Sequence, residues 1–434
     1  MSTISSTATE LDAVPVAEVV GPVVEALLGP RPPVRVRLWD GGIVGADGPD
    51  AIATLYVRSP DALRRILWSP NELGFARAFV SGELDVDGDL YEVVPALRDV
   101  MREAQPAVSA LPAIARAAKR LGMIGPPLPP PAAEARMKGW RHSLRRDAEA
   151  IGHHYDVGND FYRIVLGPSM TYSCARFSDP GMDLAAAQAA KHELVCRKLG
   201  LDERPGGRLL DVGCGWGQMA IHAATHHDVS VVGITISEAQ AALARQRVAE
   251  AGVADRVEIR LQDFRAVRGE QFDAVSSVGM SEHVGAKHLA DYFEILHSVL
   301  APQGRLLNHA ISSVGGSKLG RTSFIGRYVF PDGELIDVGD SVLAMERAGF
   351  EVRDVESLRE HYALTLRAWV ANLEAGWDDA VALVGLERAR VWRLYMTGSV
   401  IGFTDGGIAV HQVLGVVPSA DGASGMPATN RAWD

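Results

Sequence analysis

The nine residues 209–217, LLDVGCGWG, decide the fold, because they describe a buried strand that runs into a glycine-rich turn and then a helix. Gly213 and Gly215 can adopt backbone angles closed to other residues and let the chain approach a ligand closely. Asp211 stands at the carboxyl end of the strand, where its carboxylate can order the loop or bind the amino-acid part of a ligand. Several nucleotide-binding loops share this pattern, as does a plain strand–helix turn, so alone it predicts only a nucleotide-like ligand.

Strands and helices alternate on both sides of this motif, which is typical of a doubly wound parallel sheet. Helical patterns fall at 218–227, 238–252 and 285–300. Strands are predicted at 207–213, 229–236, 256–263, 272–280, 304–312, 350–358 and 407–417. The order predicts an α/β fold, a seven-stranded Rossmann-like sheet of the class I methyltransferase type with a reversed last strand.

Polar residues at the other strand ends narrow the choice of ligand. No phosphate-binding Lys follows the glycine turn, and the second strand ends without the acidic residue that a dinucleotide ribose needs. Asp263, a hydrogen-bond acceptor, and the aromatic ring of Phe264 stand at the end of the third strand, where an adenine can lie. S-adenosylmethionine is therefore favoured over a dinucleotide. The residues assigned to it are Asp211, Gly213, Gly215, Gly217, Thr235, Ser237, Gln240, Asp263 and Phe264.

Composition changes along the chain predict five segments. Residues 1–33 are interpreted as a flexible N-terminal arm, and 34–122 as a small α+β domain. The proline run of 123–149 predicts a stiff, basic linker. Residues 150–418 form the expected methyltransferase domain, and 419–434 a flexible tail.

The charge distribution excludes one class of partner and suggests another. The 434 residues carry a formal charge of −11, whereas a nucleic-acid-binding domain is normally basic. Residues 116–146 nevertheless hold eight Lys and Arg against the single acid Glu134. Such a stretch is typical of either an anionic lipid surface or a solvated linker helix. Three cysteines and the lack of a signal-like or spanning apolar segment predict a cytoplasmic protein.

Six motifs, in this order and spacing, resemble the cyclopropane-fatty-acyl-phospholipid synthase family, which includes the mycolic acid cyclopropane synthases. They are HHYDVGNDFY (153–162), MTYSCARF (170–177), LLDVGCGWG (209–217), GITISEAQ (233–240), MSEHVG (280–285) and NHAI (308–311). The segment 73–90, LGFARAFVSGELDVDGDL, weakly resembles the lipid-binding domain of the long, phospholipid-acting members.

The resemblance implies a reaction and a set of site residues. In the family an alkene attacks the sulfonium methyl group of S-adenosylmethionine, and the resulting carbocation loses a proton to a bound bicarbonate ion. Tyr172 and Ser173 match residues that contact the cofactor. The residues that match the bicarbonate site are Cys174, Glu282, His309, Ile311 through its backbone, and Tyr395.

The expected substrate is thus an unsaturated acyl chain of a membrane phospholipid, reached by peripheral association with the inner face of the cell membrane. Three alternatives stay open: the same methylation ending in a 10-methylene branch, an inactive lipid-binding protein, and a methyltransferase for a small soluble acceptor. No nucleic-acid partner is expected, and the resemblance also favours a homodimer.

Overall fold

The computed structural model describes residues 15–46, 48, 51–103, 111–135, 157–317, 320, 323–331, 333–429, 431 and 433. The chain divides into two compact units, Met1–Ala132 and Ala133–Asp434. Residues 153–156 of the first family motif lie outside the described residues, as do the basic residues Arg136, Lys138, Arg141, Arg145 and Arg146.

The second unit contains one seven-stranded sheet, as predicted. Its spatial order is β10-β11-β9-β8-β5-β6-β7. The strands are β5 (Gly207–Val212), β6 (Val229–Thr235), β7 (Val257–Leu261), β8 (Phe272–Val278), β9 (Leu300–Ser313), β10 (Glu351–Ser357) and β11 (Ile408–Val416). Each neighbouring pair in the run β9-β8-β5-β6-β7 is parallel, whereas β11 is antiparallel to both β9 and β10. The predicted reversal of the last strand is confirmed.

Helices cover this sheet and bury its apolar residues in two core clusters. Within the described residues they are α6 (Asn159–Leu166), α7 (Leu184–Leu199), α8 (Gln218–His226), α9 (Glu238–Glu250), α10 (Ser281–Val284), α11 (Leu289–Ser298), α12 (Phe324–Tyr328), α13 (Val338–Arg347), α14 (Arg359–Ala375), α15 (Trp377–Val384) and α16 (Leu386–Thr404). Because the five parallel strands run the same way, their carboxyl ends share one edge, where α/β folds bind ligands.

The first unit is a small α+β fold around its own core. Its sheet has the order β2-β1-β3-β4. The strands are β1 (Arg35–Arg37), β2 (Ile43–Gly45), β3 (Thr54–Val57) and β4 (Leu84–Asp87). The helices are α1 (Val16–Leu28), α2 (Pro60–Trp68), α3 (Glu72–Val80), α4 (Leu90–Glu103) and α5 (Leu111–Arg120).

The interpretation of 1–33 as a flexible arm is wrong for helix α1. Val20, Val23 and Leu28 of this helix are buried in the core of the first unit. The apolar positions 16, 20, 23, 24 and 27 have helical spacing, but β-branched valines and Pro22 lower the intrinsic helix propensity of the segment. Packing of the apolar face outweighs this propensity.

The predicted tail 419–434 also has packed parts. Met426 and Trp433 pack against a core cluster of the second unit. The guanidinium of the fully buried Arg305 donates to the carbonyl of Gly425 at 3.4 Å. A tail anchored in this way is not uniformly flexible.

Among the residues described, no helix has both the length and the apolar character needed to cross a lipid bilayer.

Truncation of Leu28 tests the packing of helix α1. We expect Leu28→Ala to lower the free energy of unfolding of the first unit by about 2–5 kcal/mol, because a buried leucine leaves a cavity. Hydrogen exchange of the amides of strand β3 would measure the change. Glu25→Ala, an exposed position on the same helix, is the matched control and should change stability by less than about 0.5 kcal/mol. Equal losses of stability in the two variants would contradict the packing of helix α1 against the core of the first unit.

Candidate active site

The glycine turn connects strand β5 to helix α8 with three residues in the left-handed region. Gly213, Gly215 and Gly217 have φ values of 73°, 54° and 82°. The positive φ at position 213 strains any other residue, and a Cβ there would also displace the side chain of Met280, so glycine is strongly favoured. The amides of Gly213 and Cys214 both donate to the carbonyl of Ile234 on the neighbouring strand. The turn is therefore fixed against β6 and leaves space at the carboxyl edge of the sheet.

A cavity of about 520 Å³ occupies this space. Nine of the eleven residues assigned to the cofactor line it: Tyr172, Ser173, Asp211, Gly213, Gly215, Thr235, Gln240, Asp263 and Phe264. The ring of Phe264 meets that of Tyr292 edge to face, with centroids 4.8 Å apart. Asp263 is held by Arg265 at 2.7 Å. The cavity thus combines a polar end near Asp211 with an aromatic end that suits a purine.

The other two residues do not line the cavity and have structural contacts instead. The hydroxyl of Ser237 accepts from the amide of Gln240 and caps helix α9. Gly217 precedes helix α8, and a Cβ there would lie 3.2 Å from the Cβ of Ala244. Thr235 donates to the side chain of Gln240 at 2.8 Å, so it orients a residue that does line the cavity.

Asp211 is the buried carboxylate of the cavity. Ser276 donates to its Oδ1 at 2.6 Å, while its Oδ2 is buried with no hydrogen-bond partner in the described structure. Burial raises the pKa of Asp211 to about 6, although the hydrogen bond from Ser276 and the charge of Lys191 oppose the shift. A buried carboxylate with an unpartnered oxygen, in a residue that lines a cavity, is suited to accept from an ammonium or hydroxyl group of a ligand.

Lys191 and His192 line the same cavity and were not among the predicted residues. The ammonium of Lys191 donates to Ser173 Oγ at 3.0 Å, and burial lowers the pKa of this lysine to about 8. His192 contacts Thr171 at 3.2 Å. In the sequence, the polar run KHE (191–193) suggests an exposed face of helix α7. Lys191, however, follows buried Ala187 by four residues and precedes buried Val195 by four. This helical spacing was the signal that could have predicted its burial.

Helix α16 places Tyr395 next to Tyr172, which lines the cofactor cavity, although Tyr395 itself does not line it. Its hydroxyl lies 3.2 Å from the hydroxyl of Tyr172, and burial raises the pKa of Tyr395 to about 12. Aromatic rings surround this pair, with centroids 5.3 Å apart for Tyr172 and Trp369 and 5.8 Å apart for Trp392 and Tyr395. The two tyrosines are thus held within an aromatic wall formed by helices α14 and α16.

Glu282 and Ile311 meet as the family pattern implies. The backbone amide of Ile311 donates to Glu282 Oε1 at 2.7 Å, while Glu282 Oε2 is buried without a partner in the described structure. Burial raises the pKa of Glu282 to about 7, and the amide hydrogen bond opposes the shift.

His309 lies in strand β9 opposite Gln412 of β11. The side-chain amide of Gln412 contacts His309 Nδ1 at 3.2 Å. The other ring nitrogen, His309 Nε2, is buried and has no hydrogen-bond partner within the described part of the chain. Burial, aided by the charge of Lys191, lowers the pKa of His309 to about 3, so the ring is neutral at physiological pH.

Cys174 is fully buried, and its thiol donates to the carbonyl of Ala175 at 3.2 Å. Burial raises its pKa, so it is a thiol rather than a thiolate. None of the described cavities is lined by all five residues of the implied bicarbonate site. The structure joins Glu282 to Ile311 directly and Tyr395 to the cofactor cavity through Tyr172.

The sheet order, the glycine turn and the cavity at the carboxyl edge define a class I methyltransferase that uses S-adenosylmethionine. A family model described as mycolic acid cyclopropane synthetase matches residues 142–413. The chain belongs to this family.

Named relatives agree with this assignment. The chain is 42% identical over 416 residues to a probable fatty acid methyltransferase of Mycobacterium tuberculosis, covering 92% of this chain and 94% of the relative. It is 34% identical to a tuberculostearic acid methyltransferase of the same organism, covering 88% and 87%. The crystal structure of a mycolic acid cyclopropane synthase complexed with S-adenosylhomocysteine and CTAB matches with a TM-score of 0.58 and 35% identity, covering 62% of this chain and 97% of that one.

The pH dependence of cofactor binding tests the role of Asp211. We expect the affinity for S-adenosylmethionine to fall as the pH is lowered through about 6, because protonation of Asp211 removes an ionised acceptor. Asp211→Asn should bind about 10- to 100-fold more weakly at pH 8 and lose this dependence. Isothermal titration calorimetry measures both, with Glu238→Gln on the first turn of α9 as a control. An unchanged pH profile in Asp211→Asn would exclude the role.

Proposed function

We propose that the protein transfers a one-carbon unit from S-adenosylmethionine to the double bond of an unsaturated fatty acyl chain carried by a membrane phospholipid, and closes a cyclopropane ring. The names of its relatives, which are fatty acid methyltransferases and cyclopropane synthases, support a lipid acceptor. The observation that carries the proposal is a pair of unpartnered buried polar atoms: Glu282 Oε2, in the short helix α10 after strand β8, and His309 Nε2, within strand β9.

An alkene is a weak nucleophile, so the site must orient it and stabilise the cation that forms. The wall of Tyr172, Trp369, Trp392 and Tyr395 suits this task, because ring faces attract cations without reacting with them. The apolar rings also suit contact with an acyl chain.

The unpartnered polar atoms of Glu282 and His309 would suit a small oxyanion. Glu282 Oε2 can accept from a hydroxyl group, and a neutral His309 can accept from or donate to an oxygen. We propose that these residues, with Cys174, Tyr395 and the backbone of Ile311, hold bicarbonate. When bound, bicarbonate would supply the base that accepts the proton lost from the transferred methyl group.

The electron balance of the reaction follows from these roles. The alkene electron pair forms a bond to the sulfonium methyl carbon, the carbon–sulfur bond breaks, and S-adenosylhomocysteine leaves uncharged. The positive charge then lies on the neighbouring acyl carbon. Loss of one proton from the new methyl group releases the C–H electron pair, which closes the three-membered ring. Glu282 and Tyr395 orient the groups around that proton, and the buried site excludes water that would capture the cation.

The first unit is proposed to bind the membrane surface. Arg116, Lys119 and Arg120 are exposed on helix α5, which suits contact with anionic headgroups. Peripheral association of this kind brings the acyl chain to the enzyme, and assembly as a homodimer stays a prediction.

A second outcome of the same cation is a methylene-branched chain, formed by a hydride shift before proton loss. The relatives that match about nine tenths of this chain are named fatty acid or tuberculostearic acid methyltransferases, whereas the solved cyclopropane synthase covers 62% of it. This difference in coverage is the observation that favours the second outcome.

Product analysis tests the acceptor. Incubation with S-adenosylmethionine and oleoyl phospholipid vesicles should add the mass of one CH₂ unit to the lipid, as measured by mass spectrometry. Catalytic hydrogenation then separates the outcomes, because a methylene product gains two hydrogens readily and a cyclopropane resists.

Vesicles of fully saturated phospholipid are the matched control and should gain no mass. A gain on saturated lipid, or none on any unsaturated lipid, would contradict an alkene acceptor. Equal turnover of a small soluble acceptor without vesicles would favour a different substrate class.

The ionisation of Glu282 predicts the pH profile of the reaction. We expect turnover to rise as the pH increases through about 7, because the ionised carboxylate stabilises the cation and accepts hydrogen bonds. Glu282→Gln should lower kcat by about 10²- to 10⁴-fold and remove this rise of turnover with pH. The measurement is kcat against pH for both proteins, with cofactor affinity measured to confirm folding. If turnover of Glu282→Gln still rose with pH through about 7, the rise would belong to another ionisable group.

A further inference from the structure

A second group of chemically reactive side chains lies away from the cofactor cavity. Cys196, near the end of helix α7, meets His222 and His227, which stand within and just after helix α8. One potential ligand atom from each of the three lies within 4.8 Å of the others. We call Cys196, His222, His227 and Glu193 the Cys–His cluster. The reaction proposed above makes no use of it.

Its position in the fold separates the cluster from the active site. Helix α7 leads into strand β5, and His227 immediately precedes strand β6, so the cluster lies at the amino ends of these strands. The cofactor cavity is lined from their carboxyl ends. None of the four residues lines that cavity. A ligand at the cluster would therefore be a different one.

Both imidazoles point at one carboxylate oxygen. His222 Nε2 lies 3.4 Å from Glu193 Oε2, and His227 Nε2 lies 3.2 Å from the same atom. With metal–ligand bonds of zinc length, ligand atoms of a tetrahedral site lie about 3.3–3.6 Å apart. The two imidazole-to-carboxylate separations are close to this range, and the Cys196 sulfur lies within 4.8 Å of a ring nitrogen of each histidine.

Asp202 supplies the outer contact that a metal-bound histidine requires. Its carboxylate lies 2.6 Å from His227 Nδ1, the ring nitrogen that faces away from Glu193. This carboxylate–histidine arrangement fixes the tautomer and leaves Nε2 free to coordinate a metal. Arg197 donates to the other oxygen of Glu193 at 2.7 Å and holds that carboxylate in place.

Burial and charge also fit a metal ion. Cys196 is fully buried in the core, whereas the side chain of Asp202 is 69% exposed. An ion can therefore enter from the solvent side, next to Asp202, and bind the thiol on the core side. A Cys196 thiolate and the Glu193 carboxylate would balance the two charges of Zn²⁺, while Asp202 and Arg197 balance each other. The spacing His222-x₄-His227 lies within the range found in zinc sites.

We propose that the Cys–His cluster binds one zinc ion through Cys196, His222, His227 and Glu193, with Asp202 as the outer partner of His227. The ion ties helix α7 to the start of strand β6, a structural role that is independent of the methyl transfer. Binding replaces the thiol proton: Cys–SH and Zn²⁺ give the zinc thiolate and one released H⁺. No oxidation or reduction is involved.

Metal analysis of the full-length protein tests the site. After chelator treatment and re-addition of zinc, we expect one ion per chain by mass spectrometry of the metal, with release of about one proton in weakly buffered solution. Cobalt(II) in place of zinc should show thiolate charge-transfer absorption, which reports coordination by Cys196. Cys196→Ser should abolish that absorption.

Matched variants separate coordination from folding. Asp202→Asn should weaken zinc binding by about 10- to 100-fold, because it changes only the outer contact of an exposed residue. Asp228→Asn, the same change at an exposed aspartate outside the cluster, should leave zinc binding unchanged. S-adenosylhomocysteine binding reports folding of each variant, and if Cys196→Ser does not fold, Asp202→Asn decides. Failure of the wild-type protein to retain zinc, or equal affinity in Asp202→Asn and wild type, would overturn the proposal.

Discussion

The burial of the Asp211 carboxylate at the end of strand β5 is the constraint on which the cofactor site depends. A charge in this position is costly unless hydrogen bonds or a ligand satisfy it. Ser276 on the neighbouring strand satisfies one oxygen, while the other has no partner in the described structure. The glycine turn that follows can then stay open, because its amides are bonded to β6 rather than folded back over the carboxylate. Lys191, fully buried nearby, offsets part of the charge.

The two parts of the active site use opposite physical strategies. The cofactor cavity satisfies most of its polar groups within the protein and presents a few directed acceptors. The proposed acceptor side keeps Glu282 Oε2 and His309 Nε2 buried and unsatisfied in the described structure. Unsatisfied buried groups cost stability, so their presence favours a functional reason. A cation that must be formed, held and deprotonated without water supplies such a reason.

The sequence predicted the large sheet well because its strands are buried on both faces and read as apolar runs between glycine turns. The reversed last strand was predicted from the order of the strands. Seven of the nine residues that line the cofactor cavity were predicted from their positions after strand ends, and Tyr172 and Ser173 from the family resemblance. Helix α1 was missed because its valines and proline contradict helix propensity, and packing is not visible in the sequence. Lys191 was missed because a lysine is normally exposed, and only its spacing from Ala187 and Val195 indicates burial.

Some contacts could not be predicted because they join residues distant in sequence. The pairing of Tyr172 with Tyr395 spans 223 residues, and that of Glu282 with the Ile311 amide depends on the register of strand β9. The Cys–His cluster likewise forms only when helices α7 and α8 pack together. The resemblance placed Glu282 and Ile311 in one site but assigned Tyr172 and Tyr395 to different sites, and the Cys–His cluster has no motif in the family pattern.

The central claim is that a methyl group from S-adenosylmethionine becomes bonded to an alkene carbon and then loses a proton. The direct measurement uses S-adenosylmethionine with a fully deuterated methyl group and unsaturated phospholipid vesicles, followed by mass spectrometry of the released acyl chains. Our account predicts that two of the three deuterium atoms are retained in the product, whichever way the cation collapses. Retention of all three would show a transfer that leaves the methyl group intact and would contradict the account.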